Sequence, residues 1–356
     1  MNISLNTVVP GYTMEPTMMF AHPTYLNDPY VAKVEQIYIP EHTVPAIPVE
    51  IKVSQKETWA WRNGTWKQKI FKTMIDAGIK QTVVDYSGYF VYDARFETDK
   101  NVGHIMENIF TPVLLAQKIL SEHLNQAIKI HVILTQKASH IAQEMYETAG
   151  IPVICTNDKV LANVVELTPS LELHGAQPDV VNIDIPNFNP STPERVFISR
   201  RGNRSLINND EVTDFLERQG FVTYYFEDLS TSEKWSIARN AKVAVAVHGA
   251  GTGHFIFNRK GLSNHAAPGS GLRLIEIFSP CYTVFAFRRY GSVLNGKWCA
   301  VRGQISPEVI RYLDFDKSPR NSEQSPIRDP FKIDLESLQM AIDYMDTPQR
   351  SRLVHS

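Results

Sequence analysis

Six residues, His248-Gly249-Ala250-Gly251-Thr252-Gly253, follow a fully apolar stretch from Val243 to Val247. An apolar run of that length reads as a buried parallel strand, and the glycine-rich turn after it opens a helix reaching Phe257. Glycines let the main chain approach a ligand closely, and the N–H groups at a helix start lack partners within the helix. Such a turn binds anions, phosphates above all. A tight strand–helix turn without a ligand has the same composition, so the run alone does not decide. Two neighbouring features weigh toward the anion. Ser199-Arg200-Arg201-Gly202-Asn203-Arg204 closes another predicted strand, and arginines at that rim can grip a diphosphate in bidentate fashion. Its bland counterpart is a solvated basic loop. Glu276 lies within the apolar run Leu274-Ile275-Glu276-Ile277, where a carboxylate is costly to bury unless paired. A glutamate holding ribose hydroxyls would explain it, and so would an ion pair with an arginine.

The elements that position these residues form an α/β pattern. Arg195 to Ser199, Phe221 to Phe226, Val243 to Val247 and Leu272 to Phe278 read as strands. Helices over Asn209 to Gln219 and from Ser230 or Thr231 to Asn240 separate them, with Glu233 placed for a capping box. In such open sheets, ligands collect beyond the carboxyl ends of the strands, where both the arginines and the glycine turn fall. Upstream, Val34 to Ile39, Val49 to Val53, Thr82 to Asp85, Ile128 to Leu134 and Ile151 to Cys155 read as strands, with helices over Val102 to Leu120 and Ala138 to Thr148. Three prolines between Asn182 and Pro193 mark a connector. The expected organisation is an irregular N-terminal arm (1–30), a first domain (31–185), a second domain (194–320) and a C-terminal helix (330–346) that crosses back to the first domain.

A chain of 356 residues with 43% hydrophobic content suits two globular domains. The net charge of -2 argues against a nucleic-acid binder, which usually carries a basic stripe. Three cysteines without C-x-x-C spacing argue against a structural zinc site and for a reducing compartment. No signal peptide and no run of about 20 apolar residues is seen, so a cytoplasmic protein without a transmembrane segment is expected, peripheral at the inner membrane face if its acceptor is lipid-linked. The N-x-S/T matches at Asn63 and Asn203 then count as chance.

The ordered run Phe197-Ile198-Ser199-Arg200, Arg204, Asn208, Asp210, Glu211, Gly220-Phe221, Leu229-Ser230, Ala241, His248-Gly249-Ala250-Gly251, Phe257 and Ile275-Glu276 resembles the core of glycosyltransferase family 61. Upstream, Gly103-His104-Ile105-Met106-Glu107 ahead of Phe110-Thr111-Pro112 is similar to that family's histidine-bearing helix start. The resemblance implies a GT-B fold: two Rossmann-like domains facing across a cleft, with the donor nucleotide on the C-terminal one. It implies an inverting transfer from a nucleotide sugar, UDP-linked by default, to a glycan or lipid-linked acceptor, as in capsular polysaccharide biosynthesis, with no essential metal. Arg200 and Arg204, with N–H groups from Gly249, Ala250, Gly251, Thr252 and Gly253, would hold the diphosphate. His248 would touch the phosphate or the sugar, and Glu276 the ribose. His104 and Glu107, one turn apart on a helix, are the candidate bases; Asp85 and Asp93 rank after them. The chain departs from the family pattern at Thr252-Gly253-His254-Phe255 and in the longer Lys260 to Gly271 segment, both bearing on the donor pocket.

Other readings are weighed against this one. Asp314-Phe315-Asp316 matches the D-x-D metal pattern, but short acidic matches are frequent and this one is far from the glycine turn in sequence. An α/β-hydrolase needs a G-x-S-x-G elbow, and Gly269-Ser270-Gly271 has the wrong spacing. No G-x-G-x-x-G opens a dehydrogenase. A nucleotide-sugar-binding scaffold would keep the glycine turn and dispense with His104 and Glu107.

Overall fold

The computed structural model describes residues 2–23, 33–59, 82–97, 99–169, 180–262, 266–267, 269–305 and 326–347. The chain divides into two compact units, one of Met1–Gly11 and Pro45–Asn187, the other of Tyr12–Val44 and Phe188–Ser356. In chain order the first half holds strands β1 (Asn2–Val9), β2 (Tyr12–Met14), β3 (Thr17–Ala21), β4 (Glu35–Ile39), β5 (His42–Val44), β6 (Ile47–Thr58) and β7 (Val83–Asp93). Helix α1 (Val102–His104) runs through a π-helical turn, Ile105–Phe110, into α2 (Thr111–Leu124). There follow β8 (Ile130–Leu134), α3 (His140–Thr148), β9 (Val153–Cys155) and β10 (Lys159–Thr168). The second half holds β11 (Arg195–Ser199), α4 (Asn209–Glu217), β12 (Val222–Tyr225), α5 (Thr231–Asn240), β13 (Val243–Val247) and a 3-10 segment, Ala250–Phe257. It ends with β14 (Arg273–Phe278), α6 (Arg289–Val293), β15 (Lys297–Arg302) and α7 (Leu335–Asp346).

Residues 2–21 are therefore not an irregular arm. Asn2 to Val9 alternates polar and apolar side chains, the period of a half-buried strand, and pairs antiparallel with β6 over its whole length. β2 pairs with β5, and β3 with β15 and β4, within the second unit, so residues 31–44 belong there rather than with the first domain. The later changeover between units falls at Asn187 and Phe188, inside the proline-rich connector.

The first unit's sheet has the order β1-β6-β10-β7-β8-β9. The run from β10 to β9 is parallel, and β6 is antiparallel to both its neighbours. Thr82 to Asp85 is only the start of β7, which continues to Asp93 through a bulge where its register against β10 shifts.

The second unit's sheet runs β12-β11-β13-β14-β15-β3-β4, parallel from β12 to β3. β11 pairs with β12 on one side and β13 on the other, so the chain reverses its direction of travel across the sheet at β11. That reversal is the topological switch point, beyond whose carboxyl end doubly wound sheets bind ligands. Phe197, Val245, Ile275, Ile277 and Val301 fill the core, and α7 covers it with Leu338 and Ile342. α7 packs on β15, β3 and β14 of its own unit, correcting the expected return to the first. Both units are α/β. No described helix is long and apolar enough to cross a membrane. The D-x-D match and the Asn63 sequon lie outside the described residues.

Candidate functional site

β11 delivers Arg200 and Arg204 to the switch point. Ser199 Oγ bonds Asn209 Oδ1 (2.5 Å) and Asn209 Nδ2 donates to Tyr225 Oη (2.9 Å), tying the strand end to α4 and β12. The loop then turns through Gly202 (φ +72°) and Arg204 (φ +58°), the latter a left-handed arginine whose N–H donates to Arg328 O (2.8 Å). A non-glycine residue there is strained by about 1–2 kcal/mol, so neighbours must hold it. Arg204 lies over the Tyr282 ring (4.6 Å). Arg200 Nη1 donates to His248 O (2.9 Å).

Both arginines are short of partners. The Nε of each is buried with no acceptor. Burial, and then the Arg204 charge, holds the Arg200 guanidinium below its usual range; burial lowers Arg204 too, opposed by Tyr282. Among the described residues no carboxylate forms an ion pair with either. Arg201, by contrast, turns outward to Asp228 (2.7 Å) over the Tyr225 ring. Two desolvated, unpaired cations side by side are what a bound dianion would relieve.

β13 delivers the glycine turn. A Cβ on Gly249 would push the Arg200 guanidinium aside, so glycine lets the arginine lie this close to the turn. The N–H groups of Gly249, Ala250 and Gly251 meet no acceptor among the described residues. Thr252 differs from expectation: its N–H donates to Gly249 O (3.0 Å) and its side chain is fully buried with Oγ1 unpartnered. The tighter i→i+3 pattern closes the turn one residue early, so three N–H groups, not five, are left for an anion.

The turn is anchored from beneath. Trp235 Nε1 donates to His254 Nδ1 (3.0 Å), Tyr290 Oη to Gly253 O (3.1 Å), and Asn258 Nδ2 to Ala238 O and Ala241 O. Burial, with a small contribution from Lys234, pulls the His254 imidazole down to about 3. The unfolded chain, with its imidazole at 6.5, therefore binds a proton that the folded one refuses. This contribution to stability is complete above pH 6.5 and is lost as pH falls toward about 3. His254→Asn retains an acceptor for Trp235 and cannot titrate. Its urea-unfolding free energy should depend less steeply on pH across that window, by up to one proton; an unchanged slope would refute the assignment.

Glu276 is completely buried. One carboxylate oxygen bonds His248 Nδ1 (2.6 Å) and the other accepts from Trp298 Nε1 (3.0 Å). Neither is offered to a ribose, and the partner is a histidine rather than an arginine. The His248 ring is stacked on Phe278 (4.7 Å) and flanked by Tyr282 (5.5 Å) and Phe287 (5.9 Å).

In the first unit, His104 Nδ1 faces Glu97 Oε1 (3.2 Å), and Asn108 Nδ2 donates to Glu97 Oε2 (3.0 Å). Asn101 caps the helix start through Gly103 N. The His104 side chain is 47% exposed and that of Glu97 15%. Glu107 is buried. His104 and Asn108, four residues apart where the chain enters the π-helical turn, thus meet on the same carboxylate. Glu97 was missed because β7 reads too short in the sequence; with the strand extended to Asp93, Glu97 lies just past its carboxyl end. Asp93 is committed to Arg95 (2.7 Å) and Thr58 (2.7 Å), and Asp85 accepts from Ser87 N, which lowers its carboxyl. Ser270 sits in a turn pinned by Asn295 to Gly269 N and Gly271 N, not on a strand-to-helix elbow.

A search of curated proteins returned no match. The family model described as Glycosyltransferase 61 matches residues 94–269. The match takes in Glu97, His104 and Asn108 from one unit and the arginine loop and glycine turn from the other. Over that span the chain matches glycosyltransferase family 61, which supports a glycosyltransferase of that family.

Proposed function

We propose that the protein is an inverting glycosyltransferase of GT-B type, moving a sugar from a nucleoside-diphosphate donor, UDP-linked by the family's implication, to a hydroxyl of a glycan or lipid-linked acceptor. The observation that carries this is the pair of desolvated, unpaired guanidiniums beside three free N–H groups at the switch point. Arg200 and Arg204 would neutralise the diphosphate as the C1–oxygen bond breaks and its electron pair leaves with the phosphate oxygen. That fits a transfer needing no essential metal, because two cations stand where a metal's charge would otherwise be wanted. His104 would take the acceptor proton as the acceptor oxygen bonds C1, with Glu97 stabilising the imidazolium formed. The second unit is then the donor lobe and the first the acceptor lobe.

Thermal melting with UDP, GDP, CMP and NAD, each with and without EDTA, tests this. Ligand at 100 times its dissociation constant stabilises by about 2.7 kcal/mol. A shift with one nucleoside diphosphate, unchanged by EDTA, is expected. No shift with any nucleotide would sink the donor site. Binding without sugar transfer or donor hydrolysis would point instead to a scaffold role.

A further inference from the structure

His248, Glu276 and Trp298 stand on one face of three adjacent strands. Glu276 pairs in register with Ala246 and Ala300, whose small side chains leave room for it. His248 is two residues beyond Ala246, and Trp298 two before Ala300, so the strand period places all three together. A carboxylate with no exposure is costly unless hydrogen-bonded, and these two neighbours supply its bonds. The carboxylate in turn fixes the histidine. With Nδ1 against Glu276, the ring proton belongs on Nδ1 and the ring cannot flip without losing the 2.6 Å bond. Nε2 has no partner among the described residues, yet it is not one of the enclosed, unpartnered atoms. It therefore reaches accessible space. The same residue's carbonyl holds Arg200, and Tyr282 lies against both the His248 ring and Arg204.

Resting on the donor-site reading above, we propose that Glu276 is a positioning residue that makes His248 an anion ligand. Glu276 holds Nδ1–H, and Nε2–H is donated to a diphosphate oxygen of the donor. An imidazolium between a buried carboxylate and a bound diphosphate satisfies both anions; the ring takes its second proton from solvent as the diphosphate binds, and passes none to the leaving group. The charged groups facing this ring are Glu276 from β14 and Arg200 and Arg204 from the loop after β11, with the Tyr282 phenol beside it. Glu276 thus acts on the donor without touching it.

The test uses 15N NMR of the full chain with labelled histidine, calorimetric titration with UDP, and melting without ligand. In the unsubstituted protein His248 Nδ1 should be protonated when free, and Nε2 protonated as well once UDP is bound. Glu276→Gln, which keeps a hydrogen-bonding partner for Nδ1 but lacks the negative charge that favours a doubly protonated ring, should lose that signature and raise the UDP Kd roughly tenfold or more, the weight of a hydrogen bond to a charged group. His248→Gln should match it. Should Glu276→Gln fail to fold, Trp298→Phe, which removes one of the two carboxylate bonds, should weaken the UDP response in the same direction. A Glu276→Gln protein that melts lower but keeps the UDP affinity and the Nε2 signal would reduce the network to core packing. UDP binding that leaves His248 unmoved would also overturn the proposal. If no nucleotide shifts the melting of the unsubstituted protein, the donor site itself fails, and this role with it.

Discussion

Arg204→Ala is expected to weaken nucleoside diphosphate binding by about 10- to 100-fold, since hydrogen bonds to charged groups are each worth roughly 1.5–3 kcal/mol. Its cost to the free protein should be small or negative. Arg204 is desolvated, sits near a like charge and pairs with no described carboxylate, so its removal relieves repulsion while forfeiting only the contact with Tyr282. Opposite signs on binding and on ligand-free melting are the mark of a residue retained for a ligand. Arg200→Ala should bind as poorly but melt less favourably, because it also releases the bond to His248 O. Arg204→Lys should recover part of the affinity, having the charge without the planar fork. Titration calorimetry and melting on the same samples decide the matter. A variant that loses stability and keeps its affinity would return Arg204 to a structural role.

His104→Ala should lower kcat by about 10²- to 10⁴-fold, the usual weight of a general base. The dissociation constant for the nucleoside diphosphate should be unchanged, because His104 and the arginines belong to different units. Glu97→Gln keeps its size but cannot stabilise an imidazolium, and a loss of about 10- to 100-fold is expected, as for other carboxylates that orient a working histidine. Glu107→Gln should act through stability rather than turnover, given its burial. Single-turnover transfer measured beside nucleotide affinity separates the two effects. Full transfer activity in His104→Ala would exclude it as the base.

Local signals gave the parts of this molecule that depend on nearby residues. β13 is legible because five consecutive apolar residues have no other explanation, and α5 because Ser230 and Glu233 form a capping box three residues apart. What depends on distant partners was not legible. β10 and β15 are missed, and β1 and β3 are hidden in a segment read as irregular, because their pairing partners lie tens to hundreds of residues away. The site divides the same way. The arginine loop and glycine turn declare themselves by composition, whereas the roles of Glu276 and Glu97 depend on Trp298 and His104, which only the folded chain brings to them.

Residues 12–44 place β3 against β15 and β4 beyond it, so the second unit's sheet is finished by chain made long before the rest of it. On the ribosome, the early segment must wait for more than 250 residues of synthesis before Thr17 can reach Trp298, whose carbonyl accepts its hydroxyl. A fragment starting at Phe188 would leave β15 as a bare parallel edge with Ala300 and Val301 uncovered, open to pairing with other copies. Expressed separately, this part of the chain should aggregate, and supplying residues 12–44 as a peptide should rescue it. The boundary that matters for dissecting this enzyme is therefore not a single cut in the sequence.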